Sequence, residues 1–224
     1  MTEPSLGMHN AAPHNAALHN AAPTAKSIIF LGGSFDPPHN GHIAVCDWII
    51  NTYTFDRFLL IPCASHPFEK RLSSFAHRLN MLKLAFTSTS YDSRVHISDI
   101  EGRIPTDRKS YTIDTLGVLK TQFPYADMWL ACGSDIAQQI DSWHQSDALL
   151  RQVQLLIYPT QRIRAEVVEG HRADTSDNSD ISAISSTDIR ARVKAGKCVK
   201  DIVPLAVADY INASSLYTDS KDSI

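Results

Sequence analysis

The stretch Gly32-Gly33-Ser34-Phe35-Asp36-Pro37-Pro38-His39-Asn40-Gly41-His42 gathers residues suited to holding phosphate. Its two leading glycines let the backbone turn sharply and bring amide N–H groups close to a ligand. Two prolines then stiffen the loop, and Gly41-His42 opens an apolar helix expected to run through Ile50. A helix N-terminus offers unpaired amides and partial positive charge, which suits an anion. His39 and His42 stand three apart across that opening, so both imidazoles can address one phosphate and stabilise charge as it builds.

A second stretch, Ile184-Ser185-Ser186-Thr187-Asp188-Ile189-Arg190, builds a comparable device near the other end of the chain. Ser185 and Asp188 have the spacing of a capping box, Ile189 and Val193 share one helical face, and Gly196 is a natural stop. The helix would start with free hydroxyls at Ser186 and Thr187 and carry Arg190 one turn in. Arginine supplies a planar fork of donors matched to phosphate oxygens.

The first stretch resembles the G-x-F-D-P-x-H-x-G-H signature of the nucleotidyltransferase superfamily, with Gly33, Phe35, Asp36, Pro37, His39, Gly41 and His42 in the motif positions. The second resembles that group's I-S-S-T-x-I-R motif. The resemblance implies displacement at the α-phosphorus of ATP by a phosphate oxygen of an acceptor, with pyrophosphate leaving. Such chemistry asks the protein to align two anions and offset charge, not to supply a nucleophile. It implies catalytic roles for His39, His42 and Arg190. ATP would be held by these three with Gly33, Ser34, Phe35, Ser186 and Thr187, and its ribose by Gly133 and Asp135 of a G-x-D segment. Mg²⁺ would ride mainly on the phosphates, with no protein residue as a dedicated ligand.

The acceptor is read from the middle of the chain. Ser110-Tyr111-Thr112-Ile113-Asp114-Thr115-Leu116 resembles the S-Y-T-x-x-T-L segment of nicotinate-nucleotide adenylyltransferases, enzymes of NAD biosynthesis. In that family, donors near this segment meet the nicotinate carboxylate, which implicates Tyr111 and Thr112. A carboxylate needs donors alone, whereas a carboxamide also needs an acceptor, so such a segment can tell acid from amide. Trp143, in Asp141-Ser142-Trp143-His144, matches the family's stacking tryptophan. Lys70, ending the loop from Pro62, matches a contact to the acceptor phosphate. The implied acceptor is nicotinate mononucleotide. Nicotinamide mononucleotide or phosphopantetheine in the same reaction, and a nucleotide-binding regulatory module without turnover, are the alternatives.

Something must place these segments together. Short apolar runs at 28–31, 58–61, 95–97, 128–131, 153–157 and 165–168 read as strands. Between them Phe75, Leu79, Leu82 and Phe86, then Ile113, Leu116 and Phe123, recur at helical spacing. Alternation of this kind predicts an α/β fold, a parallel sheet with helices on both faces, and the resemblance implies a Rossmann-like doubly wound form of it. Ligands in such sheets sit beyond the carboxyl ends of the strands, where the strand order reverses.

One domain is expected over residues 27–212. Residues 1–26 carry a repeated His-Asn-Ala-Ala and predict disorder, and 213–224 reads as a short polar tail. With Lys plus Arg 21 against Asp plus Glu 24, the net charge of −3 argues against a nucleic-acid partner. Cys46, Cys63, Cys132 and Cys198 form no C-x-x-C pair, and no apolar run is long enough for a bilayer. No membrane partner and a cytoplasmic setting are the expectation.

Overall fold

The structure, a computed structural model, describes residues 25–65, 72–87, 91–104, 109–160, 172–173 and 184–218. The histidine repeat, Lys70 and the strand expected at 165–168 lie outside the described residues.

The chain alternates as expected. Strand β1 (Ser27–Gly33) leads to α1 (Asn40–Thr52), β2 (Arg57–Pro62), α2 (Phe75–Thr87) and β3 (Val95–Ile97). A 3₁₀ turn (Ile100–Arg103), α3 (Thr112–Gln122), β4 (Asp127–Gly133) and the single turn α4 (Ser134–Ala137) follow. A second 3₁₀ turn (Ile140–Ser142), α5 (Ser146–Leu150), β5 (Gln154–Tyr158), β6 (Arg172–Ala173), α6 (Ser186–Lys194) and α7 (Leu205–Ala213) complete the order. The strands form one six-stranded sheet ordered β3-β2-β1-β4-β5-β6, with every pairing parallel. The order reverses between β1 and β4, so the loops after Gly33 and Gly133 open at the same end of neighbouring strands.

The apolar runs are continuous because both faces of the sheet are covered. In β1, Ile29 and Leu31 point into one core with α1, α2, α6 and α7, while Ile28 and Phe30 point into a second with α3 and α5. Phe58 and Leu60 of β2 repeat the first choice, Leu59 and Ile61 the second. Strand periodicity alone assigns these faces.

Three expectations need correction. Leu82 and Phe86 of α2 are buried as expected, with Met81 and Ala85, but Leu79 stays half-exposed while Arg78 goes inside. The domain begins before residue 27: Ala25 is buried, and the Lys26 amide donates to Asp56 Oδ2 at 2.7 Å. The polar tail is no tail up to residue 218. Leu216 and Tyr217 are each 9% exposed and pack into the core beside α7. The charged residues around them disguise two apolar anchors.

Candidate active site

β1 delivers the first loop at the reversal point of the sheet. Phe35 turns it with φ 47°, a left-handed conformation that strains a bulky residue. Burial of its ring offsets that strain: Phe35 is 1% exposed and its ring lies 4.9 Å from that of His42. The phenyl ring therefore supports His42 from behind, and only the Phe35 backbone is available to a nucleotide.

Asp36 fixes the loop from inside. Its carboxylate is 1% exposed and accepts from the Ser73 amide at 3.1 Å and the Tyr217 hydroxyl at 2.7 Å. A buried carboxylate needs such donors, since the charge has left water behind.

His39 caps α1 and His42 sits in its first turn, with ring centroids 3.7 Å apart. The His39 amide donates to His42 Nδ1 at 3.1 Å, so a neutral His42 carries its proton on Nε2, ready to donate. Burial pushes the His39 imidazole down to about 4, and burial with the His39 neighbour holds His42 well below its ordinary value. Both are neutral near pH 7, each with one N–H. Among the described residues His39 Nδ1, sealed from solvent, has no hydrogen-bond partner. The helix start is less open than the sequence suggests. The Asn40 amide donates to the Ile202 carbonyl at 3.0 Å and the His42 amide to the His39 carbonyl at 2.9 Å.

The second motif closes on the first. Ser185 caps α6 by accepting from the Asp188 amide at 3.1 Å, as its spacing predicts, and Gly196 (φ 68°) ends the following turn. From this helix Ser186 Oγ donates to the Pro37 carbonyl at 2.9 Å and Arg190 Nη1 to the Asp36 carbonyl at 2.7 Å. Arg190 Nη2 reaches Thr187 Oγ1 at 3.2 Å. Residues 149 and 154 positions apart thus form one cradle through the two inter-motif bonds.

On the neighbouring strand Gly133 leads into α4. A Cβ there would fall 2.6 Å from Asp135 Oδ1 and 2.7 Å from Thr160 Cγ2, so no other residue fits without displacement. Asp135 is half-exposed at this edge, where a ribose hydroxyl could meet it. Farther along, Tyr111 precedes α3 and stacks on His144, centroids 4.2 Å apart and planes 28° apart. That contact joins the S-Y-T segment to the segment of Trp143. Trp143 itself is half-buried against the second core. Ser110 donates its amide to Ser65 Oγ at 3.0 Å, which ties the segment to the loop after β2.

Residues 30–192 match the cytidylyltransferase-like family. A probable nicotinate-nucleotide adenylyltransferase of Enterococcus faecalis is 33% identical over 211 residues, covering 89% of both proteins. Its counterpart from Gemmatimonas aurantiaca is 32% identical over 84% of this chain and 90% of its own length. The chain belongs to the nicotinate-nucleotide adenylyltransferase family. The fold agrees: a Plasmodium falciparum nicotinic acid mononucleotide adenylyltransferase complexed with NaAD superposes with a TM-score of 0.74 at 25% identity, over 86% of this chain and 97% of that one.

Within this adenylyltransferase, the structure brings the motif of His39 and His42 into contact with the motif of Ser186, Thr187 and Arg190, as the sequence leads one to expect. The sequence did not locate the residues that hold those motifs. Tyr217 lies in a stretch that reads as tail, and His144 has no role of its own in the motif it ends. Arg78 and Glu101, both buried, carry no apolar signal for periodicity to reveal.

Proposed function

We propose that this chain transfers AMP from ATP to nicotinate mononucleotide, giving nicotinate adenine dinucleotide and pyrophosphate. The observation that carries the reading is the pair of hydrogen bonds from Ser186 and Arg190 to Pro37 and Asp36, which makes one cradle of two phosphate-binding devices.

In the reaction an oxygen of the acceptor phosphate forms a bond to the α-phosphorus of ATP. The bond to the bridging oxygen breaks, and its electron pair leaves with pyrophosphate. The chain's residues orient and offset charge. His42, through Nε2–H, and His39 meet oxygens of the triphosphate where negative charge accumulates. Arg190, with Ser186 and Thr187 beside it, faces the departing β- and γ-phosphates. Gly133 and Asp135 receive the ribose. On the acceptor side, Tyr111 and Thr112 face the pyridine carboxylate and Trp143 its ring; the contact to its phosphate, given to Lys70 by the sequence resemblance, lies outside the described residues.

Among the described residues no group of three or more His, Cys, Asp or Glu converges as a metal cage, and both Asp36 oxygens already accept protein donors. That donor set suits a Mg²⁺ bound through phosphate oxygens and water, where it supplies charge neutralisation. Among the described residues no helix is long and apolar enough to cross a membrane, and a cytoplasmic enzyme is the reading that fits.

The test is an acceptor screen. Purified protein with ATP and Mg²⁺ should release pyrophosphate fastest with nicotinate mononucleotide, ahead of nicotinamide mononucleotide and phosphopantetheine. A higher kcat/KM with either competitor overturns the acceptor. No release with any of them overturns the activity.

A further inference from the structure

Two buried charges lie outside the two motifs of the triphosphate cradle. Arg78 is 1% exposed and Glu101 is 7% exposed. Charges are buried at a cost that only well-placed partners offset, so what they hold is informative.

Both hold the loop after β2. Arg78 Nη2 donates to the Ala64 carbonyl at 3.3 Å, and the Ala64 amide donates to Glu101 Oε2 at 3.0 Å. Cation and anion thus grip the two polar groups of one residue. Beyond Ala64 their reach diverges. Arg78 turns to the nucleotide side, with Nη1 on the Ser34 carbonyl at 3.0 Å and Nε on the Ser73 carbonyl at 2.9 Å. Glu101 turns to the S-Y-T segment. Its Oε2 also accepts from Ser110 Oγ, and its Oε1 accepts from Thr115 Oγ1 at 2.8 Å.

We infer that Glu101 is a positioning residue for the acceptor nucleotide, locking the loop after β2 and the Ser110–Thr115 segment into one wall. The inference rests on the activity proposed above. Every partner of Glu101 named here belongs to those two segments, the second of which contains Tyr111 and Thr112, and none belongs to the first loop or to α6. A carboxylate is the group this place requires. Three donors converge on two oxygens, and an ionised carboxylate accepts all of them. Glutamine has the same shape but sets an NH₂ against at least one donor. Because the carboxylate is turned inward on its donors, its charge is not presented to the anionic acceptor.

The experiment measures KM for each substrate in the full-length protein, parent and Glu101→Gln, together with thermal melting. Loss of a buried hydrogen-bonded contact commonly weakens binding on the order of tenfold. KM for nicotinate mononucleotide should therefore rise about tenfold or more, while KM for ATP stays within roughly twofold. A merely structural role would move both constants together or neither, and either result overturns the inference. Ser110→Ala keeps the test alive if the glutamine variant fails to fold. It should raise the acceptor KM selectively by itself, and parallel changes in both KM values would sink the idea. In the double variant the two effects should overlap instead of multiplying, because they act through one contact. Fully multiplicative effects would also overturn it. If the parent protein prefers another acceptor, the proposed function fails separately, and the same ratio is read with that acceptor.

Discussion

Tyr217→Phe removes one hydroxyl at the base of the cradle. Its hydroxyl donates to Asp36 Oδ1 at 2.7 Å, and both residues are buried. Burial, and then the neighbouring Asp36 carboxylate, push the phenol above its ordinary value, so it remains a donor throughout the working pH range. Phenylalanine keeps the ring in its core position and removes only the oxygen, leaving a buried carboxylate oxygen short of its donor. A hydrogen bond to a charged group of this kind contributes about 1.5–3 kcal/mol. In a protein of this size each kcal/mol moves the melting temperature by about 2–4 °C, which gives a drop of roughly 3–12 °C. Catalysis should also suffer, because Asp36 lies three residues before His39 in the same loop. Misplacing a reacting group by about 1 Å can lower a rate on the order of 10²-fold, so kcat/KM for ATP should fall by roughly ten- to a hundredfold. Urea or thermal unfolding and a pyrophosphate-release assay read the two effects. An unchanged melting temperature would mean that the bond contributes nothing net. A lowered melting temperature with parental kcat/KM would separate the anchor from the chemistry and refute the link.

Two further outcomes follow from the histidine pair. His42→Ala should keep the fold, by circular dichroism and melting, while kcat drops on the order of 10²-fold or more; near-parental turnover would remove His42 from the mechanism. His39 should make the protein acid-sensitive. The unfolded chain takes a proton on this residue near its ordinary value of about 6.5, but the folded chain does so only near 4. Its contribution is therefore complete above about pH 6.5 and declines as the pH falls, by about 3 kcal/mol at pH 4. Urea titrations of parent and His39→Gln between pH 7 and pH 4 should show a shallower acid loss in the variant; identical slopes would contradict that sign.

How much of this was legible beforehand depended on where each residue's partners lie in the chain. The two motifs are local objects: glycines, prolines, cap residues and helical spacing within about ten positions announce them, and the structure keeps Ser185 as the cap of α6 and Gly196 at the turn that ends it, while the start of α1 is less open than expected. The strands were legible because double burial leaves uninterrupted apolar runs. Arg78 was hidden inside a helix whose face was judged by apolar residues. Glu101 sits in a short turn and draws its meaning from Ala64, Ser110 and Thr115, none of them adjacent. Tyr217 depends on Asp36, 181 positions away. Side chains that satisfy buried polar groups leave no periodic trace, so long-range polar partners were the unread part.

The order of synthesis gives the Asp36 clasp another meaning. The first loop leaves the ribosome early, yet three of its fasteners, Ser186, Arg190 and Tyr217, are translated 149, 154 and 181 residues after the atoms they grip. Contacts so distant along the chain demand large loop closures and form late in folding. Until Ser186, Arg190 and Tyr217 have been made, a nascent chain lacks the bonds that fasten the first loop, so the proposed triphosphate seat waits on residues far downstream of it.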